Sequence, residues 1–153
     1  MRLAVELCPM ADPTRVLVPT FGRPREDEAL AYALEAYPDA EVIVLAVVTP
    51  IGTPLSEGGV LERDDERTAR ARDRAAELLE SVDAGAATDR VRIEVREGRP
   101  ANVIPTYASD EGVDHVVMYG HGTETSGLVR RLLGRTVATT VVERTDRPVT
   151  VLG

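Results

Sequence analysis

A glycine-rich stretch near the C-terminal end of the chain carries the residues best suited to chemistry. Gly120, Gly122 and Gly127 follow the short apolar run Val116–Met118, and Gly134 opens a segment with helical periodicity. Glycines allow left-handed backbone conformations and let a ligand approach the main chain closely. Unpaired N–H groups at a helix N-terminus attract anions. A buried strand, a glycine loop and a helix start therefore predict an anion site, although glycine-rich turns after strands are common.

Other reactive side chains give weaker signals. His121 lies in the glycine loop and could touch a phosphate, whereas His115 is expected to be a structural histidine at a strand start. Neither is accompanied by a second His or by paired carboxylates at metal-ligand spacing. Ser126 has no Ser–His–Asp set that the sequence supports. We predict no catalytic residue, no metal site and no enzyme, with weak ATP hydrolysis left open.

Composition narrows the class of protein. The chain has 153 residues, which favours one domain with a core of its own. Its net charge of −8 argues against a nucleic-acid partner and against an anionic membrane surface. The lone Cys8 excludes a disulfide framework and a cysteine metal cluster. No transmembrane run or secretory signal is present, so we expect a cytoplasmic protein.

The source of the protein can also be inferred from composition. All 18 basic residues are Arg, and only 3% of the residues are aromatic. An acidic chain without Lys and with an Ala/Val-rich interior indicates a salt-loving, GC-rich source. An ordinary acidic cytosolic protein is the alternative.

Hydrophobic periodicity divides the chain into alternating strands and helices. The predicted strands are Arg15–Thr20, Glu41–Val48, Val91–Glu97, Val113–Tyr119 and Pro148–Leu152. The predicted helices are Arg25–Tyr37, Glu62–Val82, a segment from Pro100 to near Gly112, and Gly134–Arg144, with a loop over Thr49–Gly59. Residues 1–14 form a predicted N-terminal extension to a domain at 15–153, and an edge strand or a start codon placed too early would both fit this extension.

Several details of these elements can be tested. Glu41–Val48 is almost entirely apolar, as in a central parallel strand, whereas Val91–Glu97 alternates and is predicted to lie at a sheet edge. Pro105 predicts a kink or a late start of its helix, because proline has no N–H to donate. In the last helix we expect buried side chains at Val137, Val141 and Val142.

Regular alternation predicts a single-domain α/β fold, an open parallel sheet with helices on both faces. Ligands of such folds bind at the carboxyl ends of the strands, where the strand order reverses. The segments Thr20–Gly22, Val48–Pro50 and Gly120–Gly127 all follow carboxyl ends.

Seven segments together resemble the universal stress protein family, over nearly the whole length from Arg15 to Leu152. They are VLVPTFG at Val16–Gly22, ALAYAL at Ala29–Leu34, VVTP at Val47–Pro50, EGRPANVI at Glu97–Ile104, DHVVMYGHG at Asp114–Gly122, SGLVRRLLG at Ser126–Gly134 and DRPVTVL at Asp146–Leu152. The resemblance implies five strands in the order 3-2-1-4-5, a fold of the type found in adenine nucleotide alpha hydrolases. It also implies homodimers through the C-terminal strand Pro148–Leu152.

Many members of that family have an adenine-nucleotide site, so the resemblance also implies a site for ATP or a related nucleotide in this chain. The base would lie near Pro19, Thr20, Phe21 and Val48. The remaining candidate binding residues surround the phosphates, and they are Gly120, His121, Gly122, Ser126, Gly127, Arg130, Gly134, Arg135 and Thr136.

The chain departs from the family's nucleotide pattern at four positions. Tyr119 replaces the first glycine, and eleven residues rather than nine separate Gly122 from Gly134. Arg135 replaces a small hydroxyl residue, and Phe21 replaces an acid. We therefore expect weaker ATP binding than the full pattern would give.

Two hypotheses of function follow. In the first, the protein is a stress-response regulator that signals through nucleotide occupancy. In the second, it is a nucleotide-independent dimeric module that presents a surface to protein partners, which the sequence does not name. A third, an adenylyl-transfer enzyme, lacks the histidine-rich or lysine-rich signatures of such enzymes.

Overall fold

Five parallel strands form one open sheet in the order β3-β2-β1-β4-β5. The computed structural model describes residues 14–23, 25–49, 57–82, 85–120 and 137–152, and for residues 57–65 and 86 it describes the backbone alone. The strands are β1 (Arg15–Thr20), β2 (Glu41–Val48), β3 (Val91–Glu97), β4 (His115–Tyr119) and β5 (Val149–Leu152). The helices are α1 (Glu26–Ala36), α2 (Glu57–Ser81), α3 (Pro100–Asp110) and α4 (Val137–Arg144), with a 3-10 helix at Gly85–Arg90. The predicted fold class and strand order are confirmed.

Apolar side chains of the central strands alternate between two core clusters, one on each face of the sheet. On one face, Val16, Val18 and Val44 pack with residues of α1 and α2. On the other face, Leu17 and Ile43 pack with residues of α3 and α4. Because successive side chains of a strand point to opposite faces, a strand covered on both faces must be apolar throughout. This explains the unbroken apolar sequence of β2, in which Val42–Val48 are all buried.

Helix α2 begins at Glu57, five residues before the predicted start at Glu62. The prediction was wrong because Gly58 and Gly59 were taken as part of a loop. Each glycine costs only about 1 kcal/mol in a helix interior. A helix can therefore include two glycines when the rest of its length packs well, as α2 does through Ala71 and Ala75, which are both buried.

Two predictions about where an element starts and one about burial are also wrong in the second half of the chain. Helix α3 begins at Pro100 and continues through Pro105, so the predicted late start is wrong, while the kink stays a prediction. Strand β4 begins at His115 rather than Val113. In α4, Val141 is buried but Val142 is 49% exposed, which contradicts the predicted burial of Val142. The buried face of this short helix runs through Ala138 and Val141, three residues apart, and Val142 lies about 100° further round.

The order of the sheet places β3 and β5 at its two edges. The edge position of β3 was predicted from its alternating sequence, and Val91, Ile93 and Val95 pack against the core while Arg92 and Arg96 are exposed. Within the described part of the chain, none of the helices is long and apolar enough to cross a membrane.

Candidate site at the carboxyl edge of the sheet

The strand order reverses between β1 and β4, so the loops that leave these two strands diverge. From β1 the chain continues to β2 and β3 on one side, whereas β4 continues to β5 on the other. Such a reversal leaves a crevice outside the carboxyl ends of the two strands, which is the usual ligand position in open α/β sheets. The sequence-based expectation for the site lies at this edge.

Pro19 limits how far β1 and β4 pair. The carbonyl oxygen of Thr14 accepts a hydrogen bond from Glu41 N of β2, whereas that of Arg15 accepts one from Asp114 N, just before β4. The backbone N–H and C=O groups of odd-numbered β1 residues therefore point toward β4. The next donors of β1 toward β4 are Leu17 and then residue 19, which is a proline and has no N–H. Pairing between β1 and β4 ends at Leu17 with Val116, whereas pairing between β1 and β2 continues through Thr20. The two strands therefore lose their ladder on the side where the crevice opens.

The end of β1 is held by a buried carboxylate on α1. Glu26 is 4% exposed, and its Oε1 accepts a hydrogen bond of 2.5 Å from the Thr20 hydroxyl. Its Oε2 accepts the Phe21 N–H at 2.9 Å, and the backbone of Gly22 and Arg23 also favours the charged form of this carboxylate. Burial, which disfavours the charged form, raises the pKa of Glu26 above 4.5 against the opposing effect of these hydrogen bonds.

Phe21 and Val48 are apolar residues at the ends of β1 and β2 that pack on opposite faces of the sheet. Phe21 is half-buried and packs against the core cluster on the α3 and α4 face. Val48 is 6% exposed at the last position of β2, and its carbonyl accepts the Gly98 N–H at 2.9 Å. Phe21 therefore keeps part of its ring exposed, whereas Val48 is almost fully buried.

Gly120 follows β4 and is buried by the neighbouring strand rather than by an open turn. Its N–H donates to Leu152 O at 2.7 Å, so this donor is already engaged. A Cβ at this position would lie 2.7 Å from Cγ1 of Val151, closer than side chains approach one another. Glycine is required at this position because a side chain would collide with β5, and not because the backbone is left-handed.

Tyr119 and Arg25 connect the two sides of the crevice at its outer surface. Tyr119 is the last residue of β4, and its hydroxyl accepts a hydrogen bond of 3.0 Å from Nη1 of Arg25. Arg25 precedes α1 with φ 66° and ψ 14°, a left-handed conformation that is uncommon outside glycine. This conformation turns the chain so that Arg25 faces outward while Glu26 faces the core.

Most of the predicted phosphate-binding residues lie outside the described residues. They are His121, Gly122, Ser126, Gly127, Arg130, Gly134, Arg135 and Thr136. Of the other predicted site residues, Pro19, Thr20 and Phe21 lie at the end of β1, Val48 ends β2 and Gly120 follows β4. Phe21 and Val48 pack on opposite faces of the sheet, so the structure does not bring these two side chains together.

His115 has the structural role predicted for it. It is the first residue of β4, and its Nε2 lies 2.7 Å from Oγ1 of Thr150 and 3.3 Å from the Tyr37 hydroxyl. The Tyr37 ring packs against the imidazole with centroids 5.1 Å apart. Burial lowers the pKa of His115 below 6.5. Among the described residues, no group of three or more His, Cys, Asp or Glu side chains could hold a metal ion.

Glu26 is the site residue that sequence reasoning missed. Like Asp27 and Glu28, it is an acidic residue in the first turn of α1, where the helix dipole is the usual explanation for a negative charge. The missed signal was spacing, because Glu26 precedes the buried residues Ala29 and Leu30 by three and four positions and so begins the apolar face of α1.

A second groove, of about 440 Å³, lies between the end of β3 and α3. Arg96, Arg99, Asp110 and Glu111 are among its lining residues, and the Arg96 guanidinium lies 5.1 Å from the centre of the Tyr107 ring. Charges of both signs alternate along this groove, so it favours no single class of ligand.

Comparisons with known proteins agree with this architecture. The model of the universal stress protein family matches residues 13–153. No curated protein sequence gives a significant match. Universal stress protein UspA from Lactobacillus plantarum is 23% identical, with a TM-score of 0.73, and the match covers 94% of this chain and 100% of that one.

Two further solved structures similar to this chain contain nucleotides. A universal stress protein in complex with cAMP is 18% identical with a TM-score of 0.68, and the match covers 94% of this chain and 99% of the other. The universal stress protein from Archaeoglobus fulgidus in complex with dAMP is 14% identical with a TM-score of 0.52, covering 94% and 100%. At these identities the likeness shows a common fold, whereas the family model spans nearly the whole sequence. The chain belongs to the universal stress protein family.

Proposed function

We propose that this protein is a stress-response regulator that binds an adenine nucleotide in the crevice between β1 and β4 and signals through its occupancy. Family membership supports a role in the stress response. The relatives in complex with cAMP and dAMP support an adenine nucleotide as the ligand class. Since we propose no catalytic residue, we infer that binding of the nucleotide, rather than its hydrolysis, carries the signal.

The early end of the β1–β4 ladder is the observation that carries this proposal. Two strands that stop pairing before their carboxyl ends leave room at the reversal point, where a planar base can enter between the loops. The half-buried Phe21 lies at the end of β1 beside this opening and offers an apolar surface for contact with a base. An aromatic ring can also stack on a base in such a position.

In this proposal the base lies near Pro19, Thr20, Phe21 and Val48. The phosphates lie toward the glycine loop, near His121 and Gly122 and near Gly134–Thr136, the residues that precede α4. Because the N–H of Gly120 is bonded to Leu152 O, we assign the phosphate contacts to the residues that follow it. The altered glycine spacing and the missing acid at Phe21 predict that ATP binds more weakly than the full pattern would allow.

Isothermal titration with ATP, ADP, AMP and cAMP tests the proposal, with native mass spectrometry of the purified protein to detect nucleotide that co-purifies. The comparison variant is Gly134→Val, whose side chain should block approach to the main chain at the predicted phosphate site. We expect binding to the parent protein and at least a tenfold weaker affinity of the variant. If the variant binds equally well, the phosphate site is misplaced, and if no adenine nucleotide binds to the parent, the proposed function fails.

A second candidate function is a dimeric module that acts without nucleotide, and the exposed apolar residues near β5 favour it. Val151 is 42% exposed on this edge strand and Val142 is 49% exposed on α4. An edge strand presents N–H and C=O groups that can pair with a second chain. We propose that β5 of one subunit pairs with β5 of another.

Light scattering at micromolar concentration tests the dimer, and the structure selects the variant. Val151→Asp is the informative change, because Val149 packs against the core while Val151 is exposed. Tyr32→Asp is the matched control, since Tyr32 is also apolar and 39% exposed but lies on α1. We expect a dimer for the parent and for Tyr32→Asp and a monomer for Val151→Asp. A monomeric parent would overturn the proposed dimer.

We also propose that the protein comes from a salt-rich environment. The support is compositional, namely a net charge of −8 and the absence of Lys.

A further inference from the structure

Glu26 is a charged residue in a place where a carboxylate is costly. Among the described residues, Thr20 and Glu26 are the polar residues that are fully buried, at 7% and 4% exposure. Burying an ionised carboxylate is unfavourable unless hydrogen-bond donors surround it. A hydrophobic side chain would serve the core better at this position, so the carboxylate points to a purpose other than packing.

The donors that surround Glu26 all come from the segment that leaves β1. The Thr20 hydroxyl and the Phe21 N–H bond to one carboxylate oxygen each, at 2.5 Å and 2.9 Å. The backbone of Gly22 and Arg23 also favours the charged form of this carboxylate. One side chain thus holds the end of β1 through Thr20 and Phe21 and interacts with the backbone of the next two residues.

This segment forms the β1 wall of the crevice. It begins where the β1–β4 ladder has already ended, so pairing with β4 does not hold it. Gly22 and Arg23 are exposed on its outer side. Beyond Thr20, which pairs with β2, the position of this wall therefore depends on Glu26.

We propose that Glu26 is a positioning residue for the nucleotide: its ionised carboxylate holds residues 20–23 in the form that receives the base, and protonation of that carboxylate releases them. The inference rests on the proposed function. An ionised carboxylate accepts all of these hydrogen bonds, whereas a protonated carboxyl group must donate at one oxygen and loses acceptor capacity. Nucleotide affinity should therefore fall on acidification.

The charged and titratable groups near Glu26 come from its own turn, from α2 and from β4. Arg23 lies on the turn itself, and Arg25, Asp27 and Glu28 lie on or beside the first turn of α1. From α2, Nη1 of Arg74 approaches within 3.7 Å of the Cβ position of Gly22, and from β4 the Tyr119 hydroxyl bonds Arg25. Burial has the largest effect and raises the pKa of Glu26, which places the transition above pH 4.5.

Acidification through this range does not unfold the protein by way of Glu26. Because its folded pKa is raised, the stability linked to Glu26 is fully present below pH 4.5 and is lost as pH rises through the folded value. A loss of affinity at lower pH is therefore distinct from a loss of fold.

The test compares the parent protein with Glu26→Gln and with Asp27→Asn, a control that removes the neighbouring charge from the same helix turn. Glutamine keeps the shape and can bond Thr20 and Phe21, but it cannot accept from every donor. Affinity is measured with cAMP from pH 7.5 to pH 5, because the charge of its phosphodiester does not change over this range. Hydrogen exchange of the Phe21 and Gly22 amides gives a second measurement that needs no ligand.

We expect parent and Asp27→Asn to lose about tenfold in cAMP affinity across this pH range, which corresponds to roughly one hydrogen bond. Glu26→Gln should bind weakly at every pH, and its Phe21 and Gly22 amides should exchange faster at pH 7.5. His121 is present in all three proteins, so the difference between them isolates Glu26. Equal affinity and an equal pH profile for Glu26→Gln would overturn this inference while leaving the proposed function intact, and failure of the parent to bind any adenine nucleotide would overturn both.

Discussion

Asp114 fixes the start of β1 at the amino end of the sheet with a single carboxylate oxygen. Its Oδ2 accepts hydrogen bonds from the Thr14 hydroxyl at 2.7 Å, from Thr14 N at 2.9 Å and from Arg15 N at 3.0 Å. The Thr14 hydroxyl contributes most to a pKa of Asp114 below 3.8. We predict that Asp114→Asn destabilises the protein by about 1–2 kcal/mol, since a neutral amide oxygen accepts these three bonds more weakly than a charged carboxylate oxygen does.

Urea denaturation measures this loss, with the exposed Asp110→Asn as control. Because the folded pKa of Asp114 is lowered, its contribution is present above pH 3.8 and disappears as pH falls through the folded value. The difference between parent and variant should therefore be constant around neutral pH and shrink in strong acid. A difference that persists unchanged in strong acid would show that the charge of Asp114 is not the cause.

His115 should make the folded protein sensitive to mild acid. Burial lowers its pKa, so the unfolded chain takes up a proton near pH 6.5 that the folded chain resists. We predict that the free energy of unfolding falls as pH drops from 7.5 to 5.5, and falls less in His115→Gln, which can still bond Thr150. Equal pH slopes for parent and variant would contradict this role, since His121 is present in both.

The burial of a side chain could be predicted where the helical or strand period determines it. Hydrogen-bond partners that depend on the conformation of a turn could not be predicted. The burial of Leu30 and Ala33 followed from helical spacing, and both are fully buried. The partners of Glu26 depend on the left-handed backbone of Arg25, which no composition rule indicates at a non-glycine residue. The same limit applies to Gly120, whose requirement arises from Val151 on a strand distant in sequence.

At the scale of the elements, Pro19 separates two strands that would otherwise pair further. We predict that Pro19→Ala supplies the missing donor, extends the β1–β4 ladder and narrows the crevice. The new amide at residue 19 should be protected in hydrogen exchange, and affinity for adenine nucleotides should fall. Stability should change by less than about 1 kcal/mol, because the added hydrogen bond is offset by greater freedom of the unfolded chain.

Both measurements on Pro19→Ala are needed. Protection of the new amide without loss of affinity would show that the ladder does not set the width of the site. An unprotected amide would show that another feature keeps the strands apart.

The C-terminal end of α1 depends on an arginine from the 3-10 helix before β3. Arg90 donates to Ala40 O at 2.5 Å, to Tyr37 O at 3.1 Å and to Leu34 O at 3.3 Å. We predict that Arg90→Ala costs about 1–3 kcal/mol, because these carbonyls lose a charged donor. Arg90→Lys should recover only part of this, since an ammonium group lacks the planar fork of a guanidinium. Thermal or urea unfolding measures these losses, and equal stability of the parent and Arg90→Ala would contradict the role of Arg90 at the end of α1.

The elements themselves were largely predictable, because a covered strand and an amphipathic helix have distinct periods. β1, β2 and β3 have the predicted bounds. The 3-10 helix at Gly85–Arg90 was not predicted, since a helix of two turns stabilised by a single arginine has no periodic signal. The start of α2 was missed because local propensity suggested a loop where packing further along favours a helix.

At the scale of the molecule, alternation of strands and helices predicts a parallel sheet but not its order. The order 3-2-1-4-5 came from resemblance to the family and is confirmed. The crevice follows from that order, since only a reversal between β1 and β4 makes the end of their ladder a site. The position of the candidate site therefore depended on topology, whereas its chemistry depends on residues 19–26 and on the glycine loop.

The net charge of the whole molecule predicts that salt stabilises it. A charge of −8 on one folded chain repels itself, and the unfolded chain relieves that repulsion. Salt screens charges separated by more than about 3 Å at 1 M, against about 30 Å at 0.01 M. The melting temperature should therefore rise from dilute buffer to molar potassium chloride at neutral pH.

The control is the same titration near pH 4.8, the isoelectric point, where the net charge vanishes. If screening of net charge is the cause, the stabilisation by potassium chloride should be largely lost there. A salt effect of equal size at both pH values would instead indicate that salt acts by strengthening apolar burial. A melting temperature that stays flat or falls with salt at neutral pH would count against both self-repulsion and the proposed salt-rich environment.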